Sequence, residues 1–262
     1  MLAANAQLQI VANAEELSMV AAERFMSLAR ESVHEKELFT VALAGGSTPK
    51  SLYTVLADER HSFRTHVPWD NTHFFWGDER PVPPDHPDSN YRMASETMLS
   101  RVPVLPGNVH RIKSEYADAT NTAEKYEQTL RDFFRLSEGQ LPRFDLFFLG
   151  MGPDGHTASL FPGSSAVNET SRLVVAPWVE KLGSYRITVT PPVLNNAGCV
   201  IFLVSGKEKA ETLRQVIQGD YHPELFPAQI INLSNGRLVW LADQAAARLL
   251  QNDSKERNRG RG

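Results

Sequence analysis

The chain has 262 residues, 42% of them hydrophobic and 22% charged, which is enough to bury a core and excludes wholesale disorder. Twenty-seven Lys plus Arg against 31 Asp plus Glu leave a net charge of −4, so no overall positive field recruits nucleic acid or an anionic membrane. Any anionic ligand needs a local site, and the single cysteine, Cys199, permits neither an intrachain disulfide nor a cysteine zinc cluster.

At the start of the chain Asn5, Gln7, Gln9 and Asn13 interrupt the apolar residues and Glu15-Glu16 follow, so no secretory leader is read there. No apolar run approaches the ~18 residues of a spanning helix. With Cys199 set in an apolar run, the expected location is the reducing cytoplasm. Short β-rich runs then alternate with helical patterns. Strands are expected over 8–12, 39–44, 72–76, 108–112, 144–149, 173–176, 186–190, 199–204 and 238–241. Helices are expected over 14–32, 49–56, 90–99, 117–134, 208–217 and 243–250. This alternation predicts an α/β fold, a mostly parallel sheet flanked by helices. With no repeat, linker or break in composition, residues 1–250 read as one domain. The tail 251–262 has no apolar side chain with which to offset its ordering entropy, and is expected to fray.

Three strand ends carry chemistry. The run from Val41 to Ala44 leads into Gly45-Gly46-Ser47-Thr48-Pro49, where Thr48 is expected to cap a helix and Pro49 to open it. Such a turn is either a plain strand-to-helix connection or an anion cradle of free amides. It lacks the spacing of a nucleotide P-loop. Phe74-Phe75-Trp76-Gly77-Asp78-Glu79-Arg80 ends an aromatic strand in three charges, and the prolines between Pro81 and Pro87 mark the loop after it. Asp85, His86 and Asp88 in that loop are conceivable metal ligands, yet no metal-site spacing is present, and no metal is expected.

The third strand end is Gly150-Met151-Gly152-Pro153-Asp154-Gly155-His156-Thr157. Its glycines match a dinucleotide fingerprint by position only, because Asp154 repels a pyrophosphate and Pro153 removes an amide. Either Asp154 caps a following helix and His156 packs in its first turn, or the two project a carboxylate and an imidazole beyond the strand end. Arg186 and Lys207 add cations at or near two further strand ends. No G-x-S-x-G elbow exists for a serine nucleophile.

Together these runs, with Ser89-Asn90-Tyr91-Arg92, Ala158-Ser159-Leu160-Phe161-Pro162-Gly163, Arg186-Ile187-Thr188 and Gly206-Lys207-Glu208-Lys209-Ala210, resemble the glucosamine-6-phosphate isomerase/6-phosphogluconolactonase family over about residues 7 to 250. The resemblance implies a modified Rossmann-like three-layer sandwich, shared with ribose-5-phosphate isomerase. It also implies hydrolysis of 6-phospho-D-glucono-1,5-lactone to 6-phosphogluconate, the second step of the oxidative pentose phosphate pathway, without a cofactor. On that reading His156 is the general base and Asp154 orients the ring or the water. Asp78 bonds sugar hydroxyls and Arg80 meets the oxyanion. Gly45, Gly46 and Ser47 with Arg92, Arg186 and Lys207 hold the phosphate.

Two alternatives remain. The deaminases of the family resemble a pattern with a carboxylate directly before the proline, where this chain has Phe161 before Pro162. A sugar-phosphate sensor is the other, although no helix-turn-helix precedes Leu8. The expected partner is a small sugar-phosphate lactone, with neither nucleic acid nor membrane, and the sequence leaves monomer against dimer open.

Overall fold

The computed structural model describes residues 6–115 and 118–251, so most of the polar tail, 252–262, lies outside the described residues. The first half runs β1 (Ala6–Val11), α1 (Ala14–Lys36), β2 (Phe39–Leu43), α2 (Ser47–Ala57), α3 (Phe63–His66), β3 (Thr72–Trp76), β4 (Asp78–Glu79), α4 (Asn90–Ala94), α5 (Ala119–Phe134). The second half runs β5 (Leu146–Gly150), β6 (Val174–Val175), β7 (Trp178–Val179), β8 (Ser184–Tyr185), β9 (Ile187–Val189), α6 (Pro191–Asn195), β10 (Cys199–Val204), α7 (Ala210–Gln218), β11 (Arg237–Asp243), α8 (Gln244–Ala247).

Six strands form one sheet in the order β1-β11-β10-β5-β2-β3, with every neighbouring pair parallel. The apolar runs of β10 and most of β5, and of β2 apart from Thr40, suit strands covered on both faces. Adjacent phenylalanines serve opposite faces. Phe148 stacks on Phe25 of α1 at 6.2 Å, whereas Phe147 meets Phe144, which in turn meets Phe134 of α5. In β3, Phe74 stacks on Trp69 on the α1 side and Phe75 meets Phe133 on the α5 side. The result is three layers, helix, sheet and helix.

Local signals set several boundaries. Asn13 caps α1 by accepting from the Glu16 N–H, and Glu16 accepts in turn from the Ala12 N–H. The helix runs to Lys36, past the expected end at 32, and stops where Glu37 turns left-handed at φ 65°. The expected helix over 90–99 splits, because after α4 the backbone widens into a π-type turn, Ser95–Leu99. The expected helix over 208–217 opens as a 3₁₀ turn, Lys207–Lys209, before α7, and that over 243–250 shrinks to α8 with Asp243 as its cap.

Three strand expectations change. Residues 108–112 form no strand: a single bridge joins Phe74 to Val109, and the His110 ring then stacks on Phe75. An extended run lying along a sheet edge has the same composition as a paired one. The segments over 173–176 and 186–190 shorten to β6 and β9, which join β4 in a separate antiparallel sheet, β4-β9-β6. The hairpin of β7 and β8 was not expected at all.

His73 and His110 lie ring against ring, Nδ1 to Nε2 at 3.1 Å, under Phe75 and Phe133. Burial pushes both below the ordinary histidine value, His110 to about 4 with His73 contributing. The unfolded chain therefore binds more protons than the folded one between that value and about 6.5, and stability falls as pH drops through this window. Discounted for partial exposure, the loss from pH 7 to 5 is about 1 kcal/mol. Urea midpoints across this range should fall for the native chain and fall less for His110→Phe.

Candidate active site

In the sheet order β2 is followed on one side by β3, and the chain then returns to place β5 on the other side. The order therefore reverses between β2 and β5, and ligands of open α/β sheets bind beyond the strand ends at such a point. Asp145 fixes this junction by accepting from both the N–H and the hydroxyl of Thr40 at 2.8 Å. Beyond the opposite, C-terminal ends of these strands lies a cavity of about 460 Å³ whose wall includes Gly45, Gly46, Ser47, Asp78, Arg80, Asp154, His156 and Arg186. A larger hollow of about 650 Å³, beside α5, contains none of these residues.

After β2, Gly46 takes φ 102° and occupies the cap position of α2, with no side chain bonded to the helix start. The helix begins at Ser47, so Thr48 is not its cap and Pro49 stands third. The reason is that only the left-handed glycine lets the chain turn this sharply. The amides of the first turn face the cavity with their partial positive charge.

After β5 the chain makes a tight turn instead of entering a helix, so Asp154 caps none. The Gly152 N–H donates to the His156 carbonyl and the Gly155 N–H to the Gly152 carbonyl. Gly155, at φ 80°, packs on Phe226, and the Thr212 hydroxyl of α7 donates to the Pro153 carbonyl at 2.6 Å. Within this frame His156 Nδ1 lies 2.5 Å from Asp154 Oδ1. A carboxylate only accepts, so Nδ1 carries the proton, and the lone pair of the neutral ring is the one on Nε2. The His156 bond holds the Asp154 carboxyl well below the usual carboxylate range, against burial and with help from Lys181 at 2.9 Å from Oδ2. Phe161 stacks on the imidazole at 4.2 Å and fixes its plane.

After β3, Gly77 leads into β4. Asp78 is buried, and its Oδ2 accepts from the Ser159 hydroxyl at 2.7 Å. The Arg80 guanidinium donates to the Asp88 carbonyl. Arg186 is half-buried, and burial first, then the nearby Arg80, push its guanidinium below the ordinary value. Two guanidiniums near enough to repel each other make a site for an anion.

Two expected phosphate ligands are elsewhere. Arg92 turns away from the cavity, its guanidinium on Glu96 at 2.7 Å and on the Asp85 carbonyl at 2.8 Å. Lys207 is exposed and off the wall, because the 3₁₀ turn after β10 presents Lys209 to the cavity instead. Lys181 and Leu182, at the tip of the unexpected β7–β8 hairpin, also line it. Spacing in Gly206-Lys207-Glu208-Lys209 gave no means of choosing between the lysines, and Lys181 carried no motif. Among the described residues no group of three or more His, Cys, Asp or Glu is placed to hold a metal ion, the loop with Asp85, His86 and Asp88 included.

The model of the family described as glucosamine-6-phosphate isomerases/6-phosphogluconolactonase matches residues 12–240. The chain belongs to this family. Among relatives, a 6-phosphogluconolactonase of Synechocystis sp. is 42% identical over 221 residues, covering 84% of this chain and 88% of the relative. The 6-phosphogluconolactonase 3, chloroplastic, of Arabidopsis thaliana is 40% identical over 220 residues, covering 81% and 66%. The solved 6-phosphogluconolactonase of Trypanosoma brucei superposes with a TM-score of 0.82 at 31% identity over 94% of this chain and 98% of that one. A monomeric glucosamine-6-phosphate deaminase superposes at 0.76 with 23% identity over 93% and 99%, a likeness of fold alone. The mostly parallel sheet between helical layers is thus the architecture of the family.

The Asp154–His156 pair depends on the absence of a side chain at Gly152, where a Cβ would stand 2.1 Å from His156 Nδ1 and 2.7 Å from Asp154 Oδ1. Gly152→Ala should therefore leave a folded protein by circular dichroism but displace the imidazole. The expected activity loss is about 100-fold or more, the scale of one misplaced acid–base group.

Proposed function

We propose that the chain hydrolyses 6-phospho-D-glucono-1,5-lactone to 6-phosphogluconate by general-base activation of water. One observation carries the reading: the Asp154–His156 pair and the adjacent guanidiniums of Arg80 and Arg186 line the same cavity. His156 Nε2 takes a proton from water as its oxygen bonds to the lactone carbonyl carbon. The resulting imidazolium returns the proton to the ring oxygen as the carbon–oxygen bond breaks, which leaves the carboxylic acid to ionise. Asp154 stabilises the imidazolium and keeps the proton on Nδ1. Asp78 accepts from a sugar hydroxyl with lone pairs left over from the Ser159 bond.

The phosphate rests on the amides of the turn Gly45-Gly46-Ser47 at the start of α2, with Arg186 and Arg80 beside it. The family resemblance implies Arg80 for the oxyanion and Arg186 for the phosphate. Their proximity favours one shared anion, and a dianion best offsets two repelling cations. Lys209 takes the part expected of Lys207.

Phe161 favours lactone hydrolysis over deamination, since the ring stacked on His156 moves no protons. No helix among the described residues is long and apolar enough to cross a membrane. The buried free thiol of Cys199 accords with work in the cytoplasm on a soluble sugar phosphate.

Proton release from fresh 6-phosphogluconolactone tests the reading. The chain should accelerate it, whereas a sensor would bind without doing so, and His156→Ala should lose about 10² to 10⁴ in kcat. Lys209→Ala and Arg186→Ala should raise KM for the phosphorylated lactone and spare an unphosphorylated one. Lys207→Ala should change neither. An equal loss on both lactones would remove the phosphate assignment.

A further inference from the structure

Glu79 is 1% exposed and takes no part in the cavity wall, yet its carboxylate accepts four hydrogen bonds. Oε1 takes the N–H groups of Arg80 and Asn90, each at 2.8 Å. Oε2 takes the Tyr91 N–H at 2.8 Å and the Ser89 hydroxyl at 3.1 Å. These donors stand at both ends of the loop between β4 and α4, in which Pro81, Pro83, Pro84 and Pro87 have no amide hydrogen with which to brace the loop from within. The buried carboxylate adds to the closure that the Arg80 guanidinium makes on the Asp88 carbonyl, and caps α4 as it does so.

What it closes is the substrate side of the cavity. Asn90, held through its N–H, donates Nδ2 to the Asp78 carbonyl at 2.9 Å and approaches the Asp78 carboxylate at 3.4 Å. On its other side Asn90 presses against the phosphate turn, for a Cβ at Gly45 would stand 1.9 Å from Asn90 Oδ1. That oxygen is buried and has no hydrogen-bond partner among the described residues, so packing against the glycine governs its place. A buried amide left half-satisfied is a cost accepted for position.

We infer that Glu79 is a positioning residue: through the backbone of Arg80 and through Asn90 it sets the spacing of Arg80, Asp78 and the Gly45–Ser47 turn without touching substrate. The inference rests on the lactonase reading for what the cavity holds, while the Glu79 cage is a property of this chain's own contacts. Glu79→Gln keeps the shape and turns one acceptor into a donor facing donors.

The expected result for Glu79→Gln is a fall of about 30-fold in kcat/KM on the phosphorylated lactone, carried mainly by KM, because charge-assisted bonds of this kind are worth one to two decades each. The pH limbs of kcat should stay in place, since the Asp154–His156 pair lies outside the cage. Affinity for 6-phosphogluconate by calorimetry should weaken by a similar factor. Two milder variants cover a failure of Glu79→Gln to fold. Ser89→Ala removes one donor and should cost a few-fold, and Asn90→Ala should reproduce the KM effect while leaving its own N–H on Glu79. The double variant of Glu79→Gln with Asn90→Ala should cost less than the product of the two losses, as residues acting through one unit do.

Folded Glu79→Gln with native KM and native product affinity overturns the inference. So does a displaced pH limb, which would put Glu79 in the proton transfer, and so does wild-type behaviour of Ser89→Ala together with Asn90→Ala. If the native chain fails to hydrolyse the lactone, the lactonase reading falls; the positioning role then stands or falls on 6-phosphogluconate binding alone.

Discussion

The bond between His156 and Asp154 exists because residue 152 has no side chain. The turn after β5 folds back so closely that imidazole and carboxylate occupy the volume a Cβ would need. That crowding is maintained from outside the turn, by the Thr212 hydroxyl on the Pro153 carbonyl and by the Ala228 N–H on the Gly155 carbonyl. A carboxylate held ionised at 2.5 Å from Nδ1 leaves the lone pair on Nε2, and a stacked phenylalanine denies the ring its other rotations. Tautomer and orientation are thus set together by packing.

The same cavity gathers four cations, alongside the carboxylates of Asp78, Asp154 and Glu208, in a protein whose net charge is −4. The contributions come from separate strand ends: Arg80 after β3, Arg186 at the start of β9, Lys209 after β10 and Lys181 from the β7–β8 hairpin, joined by the bare helix start after β2. Parallel strands all deliver their C-terminal ends to one edge, so residues far apart in the chain become neighbours at the point where strand order reverses. Burial of Arg186 beside Arg80 is unfavourable, and the nearby carboxylates of Asp78, Asp88 and Glu79 offset part of that cost.

Much of this was legible one segment at a time. Apolar runs such as 199–204 read as buried strands, and Gly45-Gly46-Ser47 and Asp154-Gly155-His156 stood where strands ended. Residues 108–112 misled because extension along an edge and pairing across it need the same side chains. Thr48 misled because the cap fell to a glycine with positive φ, a choice the backbone path made. Arg92 and Lys207 were plausible by charge, but whether a cation faces a cavity depends on helical phase and on rivals such as Glu96, neither of which a motif records.

By itself the sequence determined the layered α/β class and the strand ends that bear chemistry, and it offered the imidazole–carboxylate pair as one of two readings of its turn, because hydrophobic period and short-range spacing are local quantities. Only the tertiary structure decided which cations line the cavity, that Lys181 reaches Asp154 from a distant hairpin, and that Glu79 holds the cavity-lining Asn90 from behind. Those relations cross tens of residues. Their physical cause is the convergence of parallel strands on one edge and the close packing of loops above it, which no single segment contains.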